Sequence, residues 1–154
     1  MGMRDSQNIF ATAQDVHATG TSTDGDYYLD TLALTDHAGT SLNDRLGVGG
    51  RIAFHAAVAN TSSDTAWAGN TAIVVIGLYG HTSSSSITSA GVLLGSITVT
   101  IGSTGIAKGT ELGSFILPPS PTNRYLLPKV TVSNAAMTAG TIDMWLSDIG
   151  QQGH

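Results

Sequence analysis

Apolar and polar positions alternate along most of this chain, and the three-to-four-residue spacing of an amphipathic helix is nearly missing. Residues 51–59 (RIAFHAAVA) are the clearest case. Ile52, Phe54, Ala56 and Val58 share one face, while Ala53, His55 and Ala57 share the other. In residues 27–34 (YYLDTLAL), Tyr28, Asp30, Leu32 and Leu34 fall together. Residues 72–79 (AIVVIGLY) are apolar on both faces, the pattern of a central strand. Further strands are predicted over residues 92–101, 111–117, 123–134 and 140–149.

Turn chemistry separates these runs. It includes TGTSTDGD at 19–26, a long loop at 36–50 ending in Gly47-Val48-Gly49-Gly50, and a Ser-rich loop at 81–91. Pro118 and Pro119 stop the strand before them. Pro128 lies inside the 123–134 run and marks an edge, a bulge or a break, because proline cannot donate to a ladder. About eight strands of seven to ten residues result. That count and spacing reads as an all-β chain, an antiparallel β-sandwich and specifically an eight-stranded jelly roll. Residues 8–16 read as extended, so the expected organisation is an N-terminal arm at 1–18 and one jelly-roll domain at 19–154.

Composition narrows the partners. Only 11% of the 154 residues are charged, against roughly 25% in an ordinary domain. Small neutral residues replace the charge: 20 Thr, 16 Ser and 19 Gly. A net charge of -5 argues against a phosphate-binding surface, which needs clustered Lys and Arg. With no cysteine, disulfides and thiol chemistry are excluded. The longest apolar run, 72–79, is far short of the ~20 residues of a membrane span. The N-terminus lacks the blocks of a signal peptide. Neither nucleic acid nor membrane is therefore expected as a partner.

No catalytic pattern is legible. His17, His37, His55, His81 and His154 show no H-x-H or H-x-x-x-H spacing. His55, between alanines, reads as a satisfied or solvent-facing strand residue. Asp24-Gly25-Asp26 resembles a fragment of a calcium loop without its remaining ligands. Glu111 is the only glutamate, a poor start for a glycosidase carboxylate pair. No enzyme, metal or cofactor is expected. Trp67, in a loop of small polar residues, has two readings: a cap on the core, or an exposed aromatic anchor. Trp145, in an alternating strand, reads as core or as a subunit contact.

Several segments together resemble a known family. Asp5-Ser6-Gln7-Asn8-Ile9-Phe10 with Ala13-Gln14 is similar to the D-x-Q-x-x-F…A-Q opening of capsid cement proteins of short-tailed bacteriophages. Ser22-Thr23 with Tyr28-Leu29-Asp30, the Gly47–Gly50 turn, Arg124-Tyr125-Leu126 with Val130-Thr131-Val132, and Ala139-Gly140-Thr141-Ile142 follow that family's order. Pro128 and the Ser83–Ser86 run depart from its pattern. The resemblance implies a jelly roll that forms homotrimers on the outside of the virion head, without catalysis or cofactor. The trimers would sit at three-fold and local three-fold positions and clamp neighbouring major capsid proteins against DNA pressure. Candidate capsid or trimer contacts are Arg4, Asp5, Gln7, Asn8 and Phe10 of the arm, with Phe10 as its apolar anchor, and Trp67. The alternative reading is a carbohydrate-binding jelly-roll module, lectin-like or receptor-binding. A glycoside-cleaving jelly roll is a weaker one.

Overall fold

The structure is a computed structural model that describes residues 9–16, 22–24, 29–30, 52–61, 65–82, 91–118 and 124–148. Among these the chain is all strand and connection, without a helix. Seven strands run six to nine residues: β1 (Ile9–Asp15), β4 (Ile52–Val58), β5 (Ile73–His81), β6 (Val92–Thr100), β7 (Glu111–Ile116), β8 (Tyr125–Ser133) and β9 (Thr141–Asp148). Two short pieces, β2 (Ser22–Asp24) and β3 (Leu29–Asp30), complete the set. Most of the predicted run 27–34 and the whole loop 36–50 lie outside the described residues.

The strands form two antiparallel sheets packed as a β-sandwich. One has the order β1-β9-β4-β7, the other β2-β8-β5-β6, with β3 also on β8. Alternation places the core as the sequence pattern predicts. Phe54, Ala56 and Val58 of β4, Val74, Ile76 and Leu78 of β5, and Ile142, Met144 and Leu146 of β9 are buried between the sheets. β5 pairs with neighbours on both sides and is a central strand; its outward residues Ile73, Val75 and Tyr79 are only partly buried.

Three expectations change. Residues 9–15 are not a free arm. They form β1, which pairs with β9 from Ile9 opposite Trp145 to Asp15 opposite Thr141. Phe10, Ala11 and Val16 are buried in the core of their own chain. The ring of Phe10 lies 5.8 Å from that of Phe54, tilted by 52°. An extended segment with two apolar positions and no partner has a sheet edge available, and it pairs there.

Second, Pro128 does not break its strand. β8 is continuous over nine residues, and Pro128 stands opposite Leu78 in an unshifted register with β5. β3 pairs Tyr125 and Leu126, β2 pairs Lys129 to Thr131, and Leu127 and Pro128 fall between. The register of these described pairs shifts between β3 and β2, and a residue without an N–H is tolerated at such an irregularity. Third, Trp145 is not core: it lies on the solvent face of the β1-β9-β4-β7 sheet, in register with His55.

Glycine sets how closely the sheets approach along the β6/β7 side. A Cβ on Gly95 would come within 2.4–2.9 Å of the Phe115 ring, so that ring lies directly over the β6 backbone. Gly113, with φ 153, faces Ile97 in the same way. Phe115 in turn packs at 5.3 Å on Phe54. A line of rings from Phe10 through Phe54 to Phe115 thus runs across the inner face of the β1-β9-β4-β7 sheet toward its β7 edge.

Candidate functional site

The described residues divide the expected contacts sharply. Arg4, Asp5, Gln7 and Asn8 lie outside them. Phe10 is fully buried, so its ring serves the intrachain core in place of a neighbouring subunit. Trp67 is only 1% exposed, which overturns its reading as an exposed anchor and leaves the cap. Its indole N–H donates to the Thr141 carbonyl at 2.9 Å. Its backbone exchanges two hydrogen bonds with Ile106, at 3.0 and 2.9 Å. A Cβ on Gly140 would meet the indole at 2.9 Å, and one on Gly105 (φ 72) would meet the Trp67 carbonyl at 2.4 Å. The glycines around it make room for a folded-back tryptophan, whose buried N–H finds an acceptor as physics requires.

Two surfaces stand out in its place. The first is the side of the sandwich where β6 and β7 end their sheets. Among the described residues, the β1, β7 and β6 edges differ in how they are guarded. β1 carries two register irregularities, and Ala13 there has φ 53 with its N–H donated to the buried Asp143 carboxylate at 2.9 Å. β7 begins with Glu111 and shifts register beside Ala57. Bulges and charges are usual means of blunting an edge. β6 is nine residues long and carries no charge (VLLGSITVT). Among the described residues its outer edge has no strand partner.

Large apolar side chains also project there: Val92 is 61% exposed, Leu93 52% and Ile116 59%. Phe115 lies over Gly95, so its neighbour Ile116 and the Val92-Leu93 pair occupy the same end of this side. Leu94 and Phe115 lie half-buried beneath, against the core. The sequence holds this signal in the uncharged 92–101 run, but alternation alone does not reveal which strands are edges.

The second surface is the solvent face of the β1-β9-β4-β7 sheet. His55 of β4 stacks on Trp145 of β9, with centroids 5.3 Å apart and planes 9° from parallel. Its Nε2 lies 2.6 Å from Ser147 Oγ. Its Nδ1 lies 3.4 Å from Glu111 Oε1 on β7. Ser147 pairs across from Ala53, two residues before His55, and Glu111 from Ala57, two residues after. The three polar groups therefore run diagonally across three adjacent strands. With Nδ1–H donating to the carboxylate, Nε2 is left to accept the Ser147 hydroxyl proton. The expectation of a satisfied histidine at His55 agrees with this arrangement; its three partners are far apart in sequence and were not legible.

Among the described residues no group of three or more His, Cys, Asp or Glu is placed to hold a metal ion. No described helix is long and apolar enough to cross a membrane. No family model and no curated protein matches this chain.

Proposed function

We propose that this chain is a capsid cement protein of the kind found on short-tailed bacteriophages, a jelly roll that assembles as a homotrimer on the outside of the head. The observation that carries the reading is the β6 edge, which has no strand partner among the described residues, with Val92, Leu93 and Ile116 exposed at one end. A long uncharged edge with exposed apolar side chains at its end is an aggregation hazard in a free monomer and an asset in a protein that is permanently buried in an assembly.

The strand order supports the jelly roll. Both β2 and β3 pair with β8, so they share one position in the strand order of the described residues. Numbered along the chain, the two sheets then read 1-8-3-6 and 2-7-4-5. Such interleaving of two four-stranded antiparallel sheets is the jelly-roll pattern. The ordered motifs from Asp5 to Ile142 support the family, and they fall largely on strands β1, β2, β3, β8 and β9.

Function follows from surface chemistry in this reading. A surface of Ser, Thr and Gly costs less to desolvate than one of Lys and Glu. In a trimer, each weak contact with the shell is multiplied by effective concentration. The acidic balance suits a position outside the shell, where nothing draws the protein to DNA. The apolar end of the β6/β7 side is the trimer contact. Arg4, Asp5, Gln7 and Asn8, outside the described residues, are the contacts proposed for the major capsid protein. The role needs neither cofactor nor catalysis. The carbohydrate-binding alternative rested on an exposed Trp67, and the burial of that residue takes away its support.

The test is co-sedimentation with mature, DNA-filled heads of the phage that encodes the chain, followed by cryo-electron microscopy. Saturable binding in multiples of three, with density outside the shell at three-fold and local three-fold positions, is the expected result. Absence of binding, or density inside the shell, overturns the proposal.

A further inference from the structure

The Ser147–His55–Glu111 diagonal has the connectivity of an activated nucleophile, a feature that the cement reading neither uses nor needs. The serine hydroxyl is within a short hydrogen bond of one imidazole nitrogen, and a carboxylate faces the other. The stacked Trp145 ring fixes the plane of the imidazole from the side. Nucleophile, base and orienting group in that sequence of contacts is the arrangement by which serine is made reactive on unrelated folds. The base is 21% exposed and the carboxylate 61%, so the cluster is open to small molecules from the solvent face.

We infer that Ser147 is a reactive serine that accepts acyl groups from small activated esters, with His55 as general base and Glu111 holding the imidazole tautomer. Ser147 Oγ attacks the ester carbonyl carbon as its proton passes to His55 Nε2. The new Oγ–C bond forms, the bond from carbon to the aryl oxygen breaks, and the phenol leaves with that proton. Water then attacks the acyl-serine by the same route, His55 taking a proton from water and returning it to Oγ. The net change is ester plus water to acid plus phenol. Aryl esters of short acids fit this site. Ser147 is only half-buried, which admits a compact acyl group, and a good leaving group lessens the need for a dedicated oxyanion hole.

The experiment treats the full chain with p-nitrophenyl acetate and, separately, with a fluorophosphonate probe. Intact mass and peptide mapping then locate the adducts. The remaining serines of the 16 in the chain are internal controls. The expected result is one dominant adduct, on Ser147, absent in Ser147→Ala. His55→Gln should slow its formation by about 10²–10⁴-fold, the usual contribution of a positioned base. Labelling of wild-type Ser147 no faster than the other serines overturns the inference without reference to any variant. So does labelling of His55→Gln at the wild-type rate.

Discussion

Replacing Trp67 tests the core-capping role directly, because the structure separates its two contributions. Trp67→Ala removes a side chain that is 1% exposed and opens a cavity beneath the loop. Truncations of this size cost about 3–5 kcal/mol. Trp67→Phe keeps an aromatic ring in the site and loses chiefly the indole donor to Thr141. That carbonyl still accepts the Ala59 N–H at 3.2 Å, so it is not orphaned. The lost bond and the smaller ring together cost about 1–2 kcal/mol. The backbone pairing of Trp67 with Ile106 survives both changes. Against a total stability of about 5–15 kcal/mol, the alanine variant is severe, with a Tm lower by about 6–20 °C. Urea unfolding followed by circular dichroism measures all three proteins, at one protein concentration because association adds to apparent stability. An alanine variant within about 1 kcal/mol of wild type would refute the capping role. A phenylalanine variant as damaged as alanine would refute the division between packing and hydrogen bond.

Other perturbations follow from single contacts. Gly95→Ala drives a Cβ into the Phe115 ring, against contacts of 2.4–2.9 Å, and should cost about 1–3 kcal/mol in urea unfolding; a neutral result would mean the ring moves freely. Asp143→Ala removes the acceptor of the Ala13 N–H and should cost about 1–3 kcal/mol, with Asp143→Asn, which keeps an acceptor, milder in the same assay. Thr71 has φ 67 in a turn closed by the Ala72 N–H on the Gly69 carbonyl, at the position a type II turn reserves for glycine. Thr71→Gly should therefore raise stability by about 0.5–1 kcal/mol, the left-handed penalty less the added chain freedom of glycine. A loss of stability there would show that the Thr71 side chain makes a compensating contribution.

Period-two alternation made the strands legible. Strands β4 to β9 fall within two residues of their predicted limits, because one face of each is buried and register cannot slip without exposing it. The sequence was silent wherever long-range pairing decided the outcome. Residues 9–15 look the same whether they pair with β9 or extend free, and only the fate of Phe10 distinguishes the two. Pro128 signals an irregularity, but not that β8 stays continuous beside β5. Trp67 sits among small polar residues, and glycines at 105 and 140, remote in sequence, decide that it is buried. The partners of His55 come from β7 and β9, 56 and 92 residues away. Local patterning carries no trace of that convergence. The uncharged β6 run was visible, but its exposure depended on the topology that left it at an edge.

The central claim is that the apolar end of the β6/β7 side is built to be covered by another copy of the chain. Light scattering coupled to size exclusion, at micromolar concentration, tests it most directly. The wild-type protein should have the mass of three chains. A Leu93→Lys, Ile116→Lys variant, altered only at side chains that are more than half exposed, should keep its circular dichroism spectrum and run as one chain. A wild-type monomer, or a variant that stays trimeric, would contradict the account.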